Sequence, residues 1–196
     1  MSEKILEAAR EYVLGLFRDR SDGHGADHTL RVARSARILA AGEPGCDADL
    51  AVLAALLHDA DDRKLFCTAD NANARAFLVS RGVEAERIEL ICRIVNSVSF
   101  SQNRGRRPNT PEGRVVQDAD HLDAIGAVGI ARTFAYGGSH GRPLEDSVRH
   151  FHDKLLLLSG EMNTAAGREI ARDRHAFLEE FLRRYGEETG PLEEER

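Results

Sequence analysis

The apolar residues of this chain recur mainly at intervals of three and four residues, which is the spacing of amphipathic helices. The first segment shows the pattern clearly, with Ile5, Ala9, Val13 and Phe17 each four residues apart. No stretch alternates apolar and polar residues as a half-buried strand does. The pattern therefore predicts an all-α fold, a bundle of about eight helices at residues 2–18, 27–41, 47–58, 69–80, 85–97, 110–136, 144–158 and 164–185.

Local signals support several of these helix boundaries. Asp47 is a suitable N-cap for the third helix, and Thr110 followed by Pro111 is typical of a helix start. Thr68 is a candidate cap for the fourth helix. The polar and arginine-rich segment 99–109 is predicted to be a loop, and loops of this length are often functional.

Length and charge narrow the classes of function. The 196 residues suit a single domain, which we expect to span residues 1–196, with helices at about 144–185 packing on a core at about 23–126. A formal net charge of −6 argues against a protein that coats polymeric nucleic acid, because phosphate neutralisation needs a cationic surface. A small phosphorylated substrate remains compatible with this charge, since it needs only a few local cations.

The chain also lacks the sequence features of a secreted or membrane protein. Residues 1–18 form a charged amphipathic segment without an apolar signal region, and no apolar run approaches the length that spans a bilayer. The three cysteines (Cys46, Cys67 and Cys92) are widely spaced and form no CxxC pair, so we expect reduced thiols. These observations predict a cytoplasmic protein with no membrane partner.

Four potential metal ligands stand where helices should turn them inward. His28 shares a helical face with Val32, and His58 continues the apolar face of the third helix, with Asp59 beside it at the helix end. Asp120 lies four residues after a buried-type valine in the sixth helix. Interior imidazoles and carboxylates need partners that offset their desolvation, and one divalent metal ion would serve all four.

Each ligand taken alone has a simpler explanation. A single inward histidine is often a hydrogen-bonded core residue, and a His-Asp dipeptide occurs by chance. The acidic residues around Asp120 could form a solvent-exposed helix face that includes Asp118 or Asp123. Against that reading, Asp120 and Asp123 share a stripe with Val116 and Ala127, where unpaired carboxylates would be costly.

Taken together, the motifs resemble the HD-domain superfamily of metal-dependent phosphohydrolases, whose pattern is a His, then a His-Asp pair, then a distant Asp. The similarity is greatest to small bacterial single-domain members of the nucleotide pyrophosphohydrolase type. It covers the chain from about residue 23 to 185. The matching segments are 24–32 (HGADHTLRV), 56–64 (LLHDADDRK), 117–126 (QDADHLDAIG), 150–155 (HFHDKL) and 162–177.

The resemblance implies that His28, His58, Asp59 and Asp120 bind one divalent metal ion. Two imidazoles and two carboxylates suit several ions: Mn²⁺ or Mg²⁺ is favoured, while Fe²⁺, Co²⁺, Ni²⁺ and Zn²⁺ are compatible. HD proteins with two metals usually draw further histidines from the segment between the second and third motifs. Residues 59–120 contain none, which favours a mononuclear site.

The same motifs supply candidates for catalysis and substrate binding. Asp62, three residues after the His-Asp pair, is the first candidate for a general acid or base, although it could also be a solvated carboxylate. His24 is a second candidate, with a capping role as its alternative. The cationic side chains that could bind phosphate oxygens are Lys64, Lys154, Arg31, Arg107 and His150, and Arg31 could instead lie behind the metal ligands.

The expected reaction is hydrolysis of a (deoxy)nucleoside triphosphate to the monophosphate and pyrophosphate by a metal-activated water. A phosphomonoesterase that acts on nucleoside 5′-monophosphates, or a phosphodiesterase, would use the same four ligands. A third alternative is a non-catalytic module that senses a nucleotide or a metal. The protein is expected to be a monomer or a homodimer.

Overall fold

The computed structural model describes residues 3–18, 25–63 and 65–190, so the predicted site residues His24 and Lys64 lie outside the described residues. Within these ranges every regular element is a helix and no strand is present, which confirms the all-α fold. None of the described helices is both long and apolar enough to cross a membrane.

The α-helices run in chain order with short connections. They are α1 (Glu3–Leu16), α2 (Ala26–Ala40), α3 (Ala48–Leu57), α4 (Ala72–Ser80), α5 (Ala85–Asn96), α6 (Phe100–Asn103), α7 (Pro111–Asp123), α8 (Gly126–Ser139), α9 (Leu144–His150), α10 (Leu156–Leu158) and α11 (Ala165–Thr189). A π-helical turn (Phe151–Leu155) joins α9 to α10, and a 3₁₀ turn (Ser159–Glu161) follows α10.

Helix α3 forms the centre of the core. Its residues 50–57 are all apolar and all buried, so the helix is hydrophobic on every side. Helices α1, α2, α5 and α7 pack around it. Because α3 is enclosed in this way, the residues that follow its last turn, His58 and Asp59, emerge inside the molecule rather than at its surface.

Two predicted caps are present. The carboxylate of Asp47 accepts hydrogen bonds from the backbone N–H groups of Asp49 and Leu50 at 3.1 and 3.0 Å. The hydroxyl of Thr110 accepts from the N–H of Gly113 at 3.0 Å, with Pro111 in the first turn of α7. Both contacts satisfy N–H groups that a helix start leaves without an intrahelical partner.

The predicted cap at Thr68 is wrong. Helix α4 begins only after Asn71, and the carboxylate of Asp61 accepts from the N–H groups of Asn73 and Ala74 at 2.9 and 3.0 Å. A side chain eleven residues before the first residue of the helix therefore accepts the hydrogen bonds of its first turn. This contact fixes the start of α4 against the segment that follows Asp59.

The single helix predicted for residues 110–136 is two helices. Helix α7 ends at Asp123, and the chain turns at Gly126, whose φ of +73° favours glycine. Helix α8 then folds back so closely that a Cβ at Gly129 would lie 2.2 Å from the carbonyl oxygen of Ala124. The turn brings the first part of α8 beside the last turn of α7.

Smaller differences affect three other segments. The predicted loop 99–109 contains the short helix α6, the predicted helix 144–158 is interrupted by the π-helical turn, and the last helix continues past Tyr185 to Thr189. Helix α11 packs against α7 and α8.

The start of α11 is fixed to α7 by Asp118, which is completely buried. Its carboxylate accepts from the backbone N–H of Asn163 and Thr164 at 2.8 Å each, from the Asn163 amide at 2.9 Å and from the Thr164 hydroxyl at 2.7 Å. Asp118 therefore does not belong to a solvent-exposed acidic face.

Candidate active site

The four predicted metal ligands converge at three helix ends. His28 lies in the first turn of α2, His58 and Asp59 follow α3, and Asp120 lies in the last turn of α7. His28 Nε2 is 3.4 Å from Asp59 Oδ2 and 3.4 Å from Asp120 Oδ1. His58 Nε2 is 3.4 Å from Asp59 Oδ1 and 3.7 Å from Asp120 Oδ1.

The carboxylates of Asp59 and Asp120 contact the two imidazoles in different ways. One ligand atom each from His28, His58 and Asp120 lie within 4.8 Å of one another, as a shared ion requires. Asp59 presents a different oxygen to each imidazole. The side chains of Asp59 and Asp120 are 15% and 23% exposed, whereas each imidazole is only 3% exposed, so the carboxylates form the solvent-facing side of the group.

In both imidazoles, the hydrogen bond made by Nδ1 determines which nitrogen of the neutral ring carries the hydrogen. His58 Nδ1 lies 2.8 Å from the carbonyl oxygen of Ala55, which can only accept, so Nδ1 carries a hydrogen and donates. His28 Nδ1 is in the same way 2.7 Å from Asp123 Oδ2. Both Nε2 atoms therefore direct a lone pair toward the carboxylates in the neutral imidazoles, as metal-binding histidines do.

Lone pairs that face carboxylate oxygens repel them, so a cation belongs between these groups. The buried Nε2 of His58 has no hydrogen-bond partner among the residues that the structure describes. Two imidazole nitrogens and two carboxylates form a donor set that suits Mn²⁺, Fe²⁺, Co²⁺ or Zn²⁺. The residues thus fit one divalent metal ion, with the exposed side of the carboxylates left for water or substrate.

The pKa values show how strongly the site attracts positive charge. Burial by itself would raise the pKa of Asp120, but the adjacent imidazoles of His28 and His58, when they are protonated, outweigh burial and hold that pKa well below its usual range. Burial would likewise lower the pKa of His28, yet the carboxylates of Asp120, Asp123 and Asp59 outweigh it and raise that pKa. A divalent ion would take the place of the protons that the carboxylates favour.

Asp123 is a further site residue, which the sequence left open as part of a possible exposed acidic face. It is buried, and its carboxylate accepts hydrogen bonds from three cationic or potentially cationic side chains. His28 Nδ1 is 2.7 Å from Oδ2, Arg31 Nε is 2.7 Å from Oδ1, and Arg132 Nη1 is 2.6 Å from Oδ2. Asp123 therefore fixes the ring orientation and tautomer of a metal ligand.

A cavity of about 1190 Å³ extends outward from these ligands. Part of its lining comes from the segment that follows α3 and carries carboxylates, an amide and one guanidinium group. Another part comes from α6, α8, α9, the π-helical turn and the residues just after α6 and α8, and it carries basic side chains and two aromatic rings. The first part includes Asp61, Asp62, Arg63, Asp70 and Asn71, and the second includes Phe100, Arg104, Arg132, Tyr136, Arg142, His150 and Lys154.

Comparison with known proteins agrees with this arrangement. The family model for the HD domain matches residues 25–125, which run from the start of α2 to the turn after α7. The Bacillus subtilis protein YpgQ is 40% identical over 191 residues, covering 92% of this chain and 91% of YpgQ. This chain belongs to the HD-domain family.

Solved structures of similar proteins share the fold of this HD protein. A crystal structure of B. subtilis YpgQ in complex with ADP superposes with a TM-score of 0.81 at 35% identity, covering 95% of this chain and 98% of that one. A Lactobacillus plantarum protein gives 0.84 at 34% identity over 96% and 98%. An HD-superfamily hydrolase of Bacillus thuringiensis gives 0.76 at 34% identity over 97% and 99%.

Of the residues predicted to act on substrate, the HD protein brings Asp62, His150 and Lys154 to the cavity wall. Arg31 and Arg107 are not among the lining residues: Arg31 binds Asp123, and Arg107 donates to the backbone carbonyl of Asn163 at 3.4 Å. Three of the predicted substrate residues of this HD protein therefore line the cavity, whereas Arg31 and Arg107 bind other protein groups outside it.

The sequence did not single out several cavity residues. Arg132 and Arg142 lie in and after the part of the chain that was predicted as one long helix, so their return to the site depends on the turn at Gly126. Phe100 lies in α6, and the ammonium of Lys154 is 5.4 Å from the centre of its ring. A helical spacing pattern contains no signal for these contacts, because they join separate elements.

Proposed function

We propose that this protein is a metal-dependent phosphohydrolase that cleaves a (deoxy)nucleoside triphosphate to the monophosphate and pyrophosphate. The observation that carries the proposal is the convergence of two imidazole Nε2 atoms and two carboxylates at one end of a cavity that is also lined by cations. That combination suits a metal ion on one side of a phosphate group and charge-assisted hydrogen bonds on the other.

His28, His58, Asp59 and Asp120 would hold the ion. When bound, a divalent ion supplies Lewis-acid polarisation of a phosphoryl oxygen and lowers the pKa of a coordinated water. Asp123 keeps the His28 ring oriented for that role through the bond at Nδ1. The partly exposed face of the two carboxylates opens to the cavity, where substrate can approach.

The cavity residues have separate proposed roles in the reaction. Water attacks the α-phosphorus, the bond from the α-phosphorus to the bridging oxygen breaks, and pyrophosphate leaves with the electron pair. Asp62, at the cavity wall three residues after Asp59, accepts the proton of the attacking water. Lys154 and His150, on the cationic part of the wall, bind the phosphate oxygens of the leaving group.

Two observations favour a nucleotide as the substrate. The similar protein YpgQ crystallises in complex with ADP. The cavity here combines cationic side chains with the aromatic rings of Phe100 and Tyr136, which suit the phosphates and the base of a nucleotide. The volume of about 1190 Å³ leaves room for a ligand of this size.

The test is turnover of a panel of nucleoside triphosphates with added Mn²⁺ or Mg²⁺, with pyrophosphate and orthophosphate quantified separately. Asp59→Ala should abolish turnover, while Asp49→Ala, in the first turn of α3 at the end away from Asp59, should retain it. Pyrophosphate and monophosphate in equal amounts support the proposal. Orthophosphate as the sole inorganic product would indicate a phosphomonoesterase, and nucleotide binding without turnover would indicate a sensing module.

A further inference from the structure

Asn71 lies in the cavity wall with a side-chain amide that has no partner among the residues that the structure describes. The residue is 8% exposed and is one of those that line the cavity. None of the hydrogen bonds of the described residues involves its amide. A buried amide without partners is unfavourable, because its two N–H donors and its carbonyl acceptor have lost the water that would otherwise bind them. A ligand in the cavity would supply these partners.

The position of Asn71 at the start of α4 does not account for this side chain. An asparagine at an N-cap usually accepts from N–H groups of the first helical turn, but here Asp61 accepts from those of Asn73 and Ala74 at 2.9 and 3.0 Å. The backbone of Asn71 has a φ of +54°, a left-handed conformation that asparagine tolerates and that glycine adopts more readily. Neither the helix cap nor the backbone therefore requires the amide.

Thr68, in the same segment, has a second polar group of this kind. Its hydroxyl is buried without a hydrogen-bond partner among the described residues, and Thr68 also lines the cavity. Arg75 holds the segment in place, because its Nε donates to the backbone carbonyl of Asp70 at 2.7 Å and its guanidinium forms an ion pair with Glu89 of α5. A fixed segment thus brings two unpartnered polar side chains, Thr68 and Asn71, to one cavity.

The charge of this segment indicates which part of a nucleotide it can receive. Residues 61–71 contain three aspartates against one arginine and one lysine, so the segment is weakly acidic. The part of the cavity formed by α6, α8, α9 and the π-helical turn contains the basic side chains, which favour phosphate groups. The uncharged nucleoside is therefore the part of the ligand that suits Thr68 and Asn71.

We propose that Asn71 and Thr68 bind the edge of the nucleobase and so determine which base the protein prefers. The inference rests on the proposed function, because it takes the ligand to be a nucleotide. The rings of Phe100 and Tyr136 would contact a base through its face, which every base has, so they do not discriminate between bases.

Hydrogen bonds to the edge of a base do discriminate. An asparagine amide pairs in one plane with an adjacent donor and acceptor, as it does with the amino group and ring nitrogen of adenine. The acidic character of residues 61–71 favours a base that donates from an amino group over one that presents a carbonyl oxygen. We therefore expect adenine to be preferred over uracil, which has no exocyclic amino group.

The experiment measures binding to the purified full-length protein, saturated with Mn²⁺, by titration calorimetry. Two probes are the adenosine and uridine triphosphates whose α–β bridging oxygen is replaced by a methylene group. The third probe is inorganic tripolyphosphate, which has no base.

The variants separate the amide from the backbone conformation that it accompanies. Asn71→Gly and Asn71→Asp both fit a left-handed backbone, and the aspartate variant serves where the glycine variant fails to fold. Thr68→Val keeps the shape of the side chain without its hydroxyl. Thr29→Val is the matched control, because the Thr29 hydroxyl is also buried without a partner among the described residues but Thr29 does not line the cavity.

We expect the wild type to bind the adenosine probe about tenfold more tightly than the uridine probe. Asn71→Gly should remove most of this preference by weakening adenosine binding about tenfold, with the tripolyphosphate affinity unchanged. Asn71→Asp keeps an acceptor but no donor, so its loss should be smaller. Thr68→Val should weaken adenosine binding about threefold, and Thr29→Val should bind all three probes as the wild type does.

Two results would overturn the inference. One is equal affinity of the wild type for the adenosine and uridine probes. The other is a loss of affinity in Asn71→Gly that extends equally to tripolyphosphate, because it would show that Asn71 only maintains the shape of the cavity.

Failure of this inference and failure of the proposed function give different results. Nucleotide affinities that are unchanged in the Asn71 variants overturn the base contact while the proposed function stands. Base-selective binding that depends on Asn71, without release of pyrophosphate from nucleoside triphosphates, supports the contact and contradicts the proposed reaction. Absence of nucleotide binding by the wild type would overturn both.

Discussion

Asp123→Ala tests how far one buried carboxylate supports the site. The substitution removes the acceptor of hydrogen bonds from His28, Arg31 and Arg132 and leaves two guanidinium groups without their shared anion. Breaking a buried ion pair by removing one partner typically costs about 3–5 kcal/mol. Arg31 is 39% exposed and can regain water, so we expect about 3 kcal/mol, at the lower end of that range.

This loss of stability is measurable by thermal unfolding. For a chain of 150–250 residues, each kcal/mol shifts the Tm by about 2–4 °C, so Asp123→Ala should lower it by about 6–12 °C. The measurement is made in the presence of a chelator, because a metal bound only to the folded state would add its own stabilisation. A shift below about 3 °C would contradict the proposed burial of charge.

The same variant should weaken metal binding by about tenfold to a hundredfold, because the His28 ring loses the partner that fixes its orientation and tautomer. Asp118→Ala is the matched control: it removes an equally buried carboxylate of the same helix whose hydrogen bonds go to Asn163 and Thr164. It should destabilise the fold yet keep the Mn²⁺ affinity of the folded protein. Equal loss of affinity in both variants would show that general destabilisation, and not His28, is responsible.

Three further predictions follow from the site and its support. Asp59→Ala should abolish Mn²⁺ binding and turnover together, and turnover that persists without the metal would contradict its role as a ligand. Asp62→Asn should keep the Mn²⁺ affinity but lower kcat by about 10²–10⁴-fold, and an unchanged kcat would remove it as the acid or base. Gly129→Ala should lower the free energy of unfolding, measured by chemical denaturation, by about 1–3 kcal/mol, because the new Cβ would lie 2.2 Å from the carbonyl oxygen of Ala124. Gly138→Ala is the control: it lies in the same helix with open space around it and should not destabilise the protein.

The helical fold could be predicted from the sequence because its signals are local. Amphipathic spacing and caps such as Asp47 and Thr110 involve residues a few positions apart. The break between α7 and α8 could not be predicted in this way. It depends on the left-handed turn at Gly126 and on the close approach of Gly129 to Ala124, and a helical pattern of apolar residues continues through both glycines.

The residues of the candidate site could likewise be predicted only where a local sequence signal marked them. The four predicted ligands converge in the structure, and each had a local signal in the form of a helix face or a helix end. The cavity residue Arg132 had none, since its position beside the ligands depends on the turn at Gly126, which the sequence did not reveal. Arg107 illustrates the opposite case: its segment is rich in arginine, but this side chain reaches the carbonyl of Asn163 and not the cavity.

Three carboxylates of α7 show why residue type and spacing alone do not assign roles. Asp118, Asp120 and Asp123 lie within six residues on one helix, and each faces a different part of the molecule. Asp118 receives donors from the start of α11, 45 and 46 residues later in the chain, and so anchors that helix. Asp123 receives them from α2, 92 and 95 residues earlier, and so orients a ligand. Asp120, between them, directs one oxygen toward both imidazoles, with Oδ1 3.4 Å from His28 Nε2 and 3.7 Å from His58 Nε2, and so is the carboxylate of this helix that can share a metal ion with them.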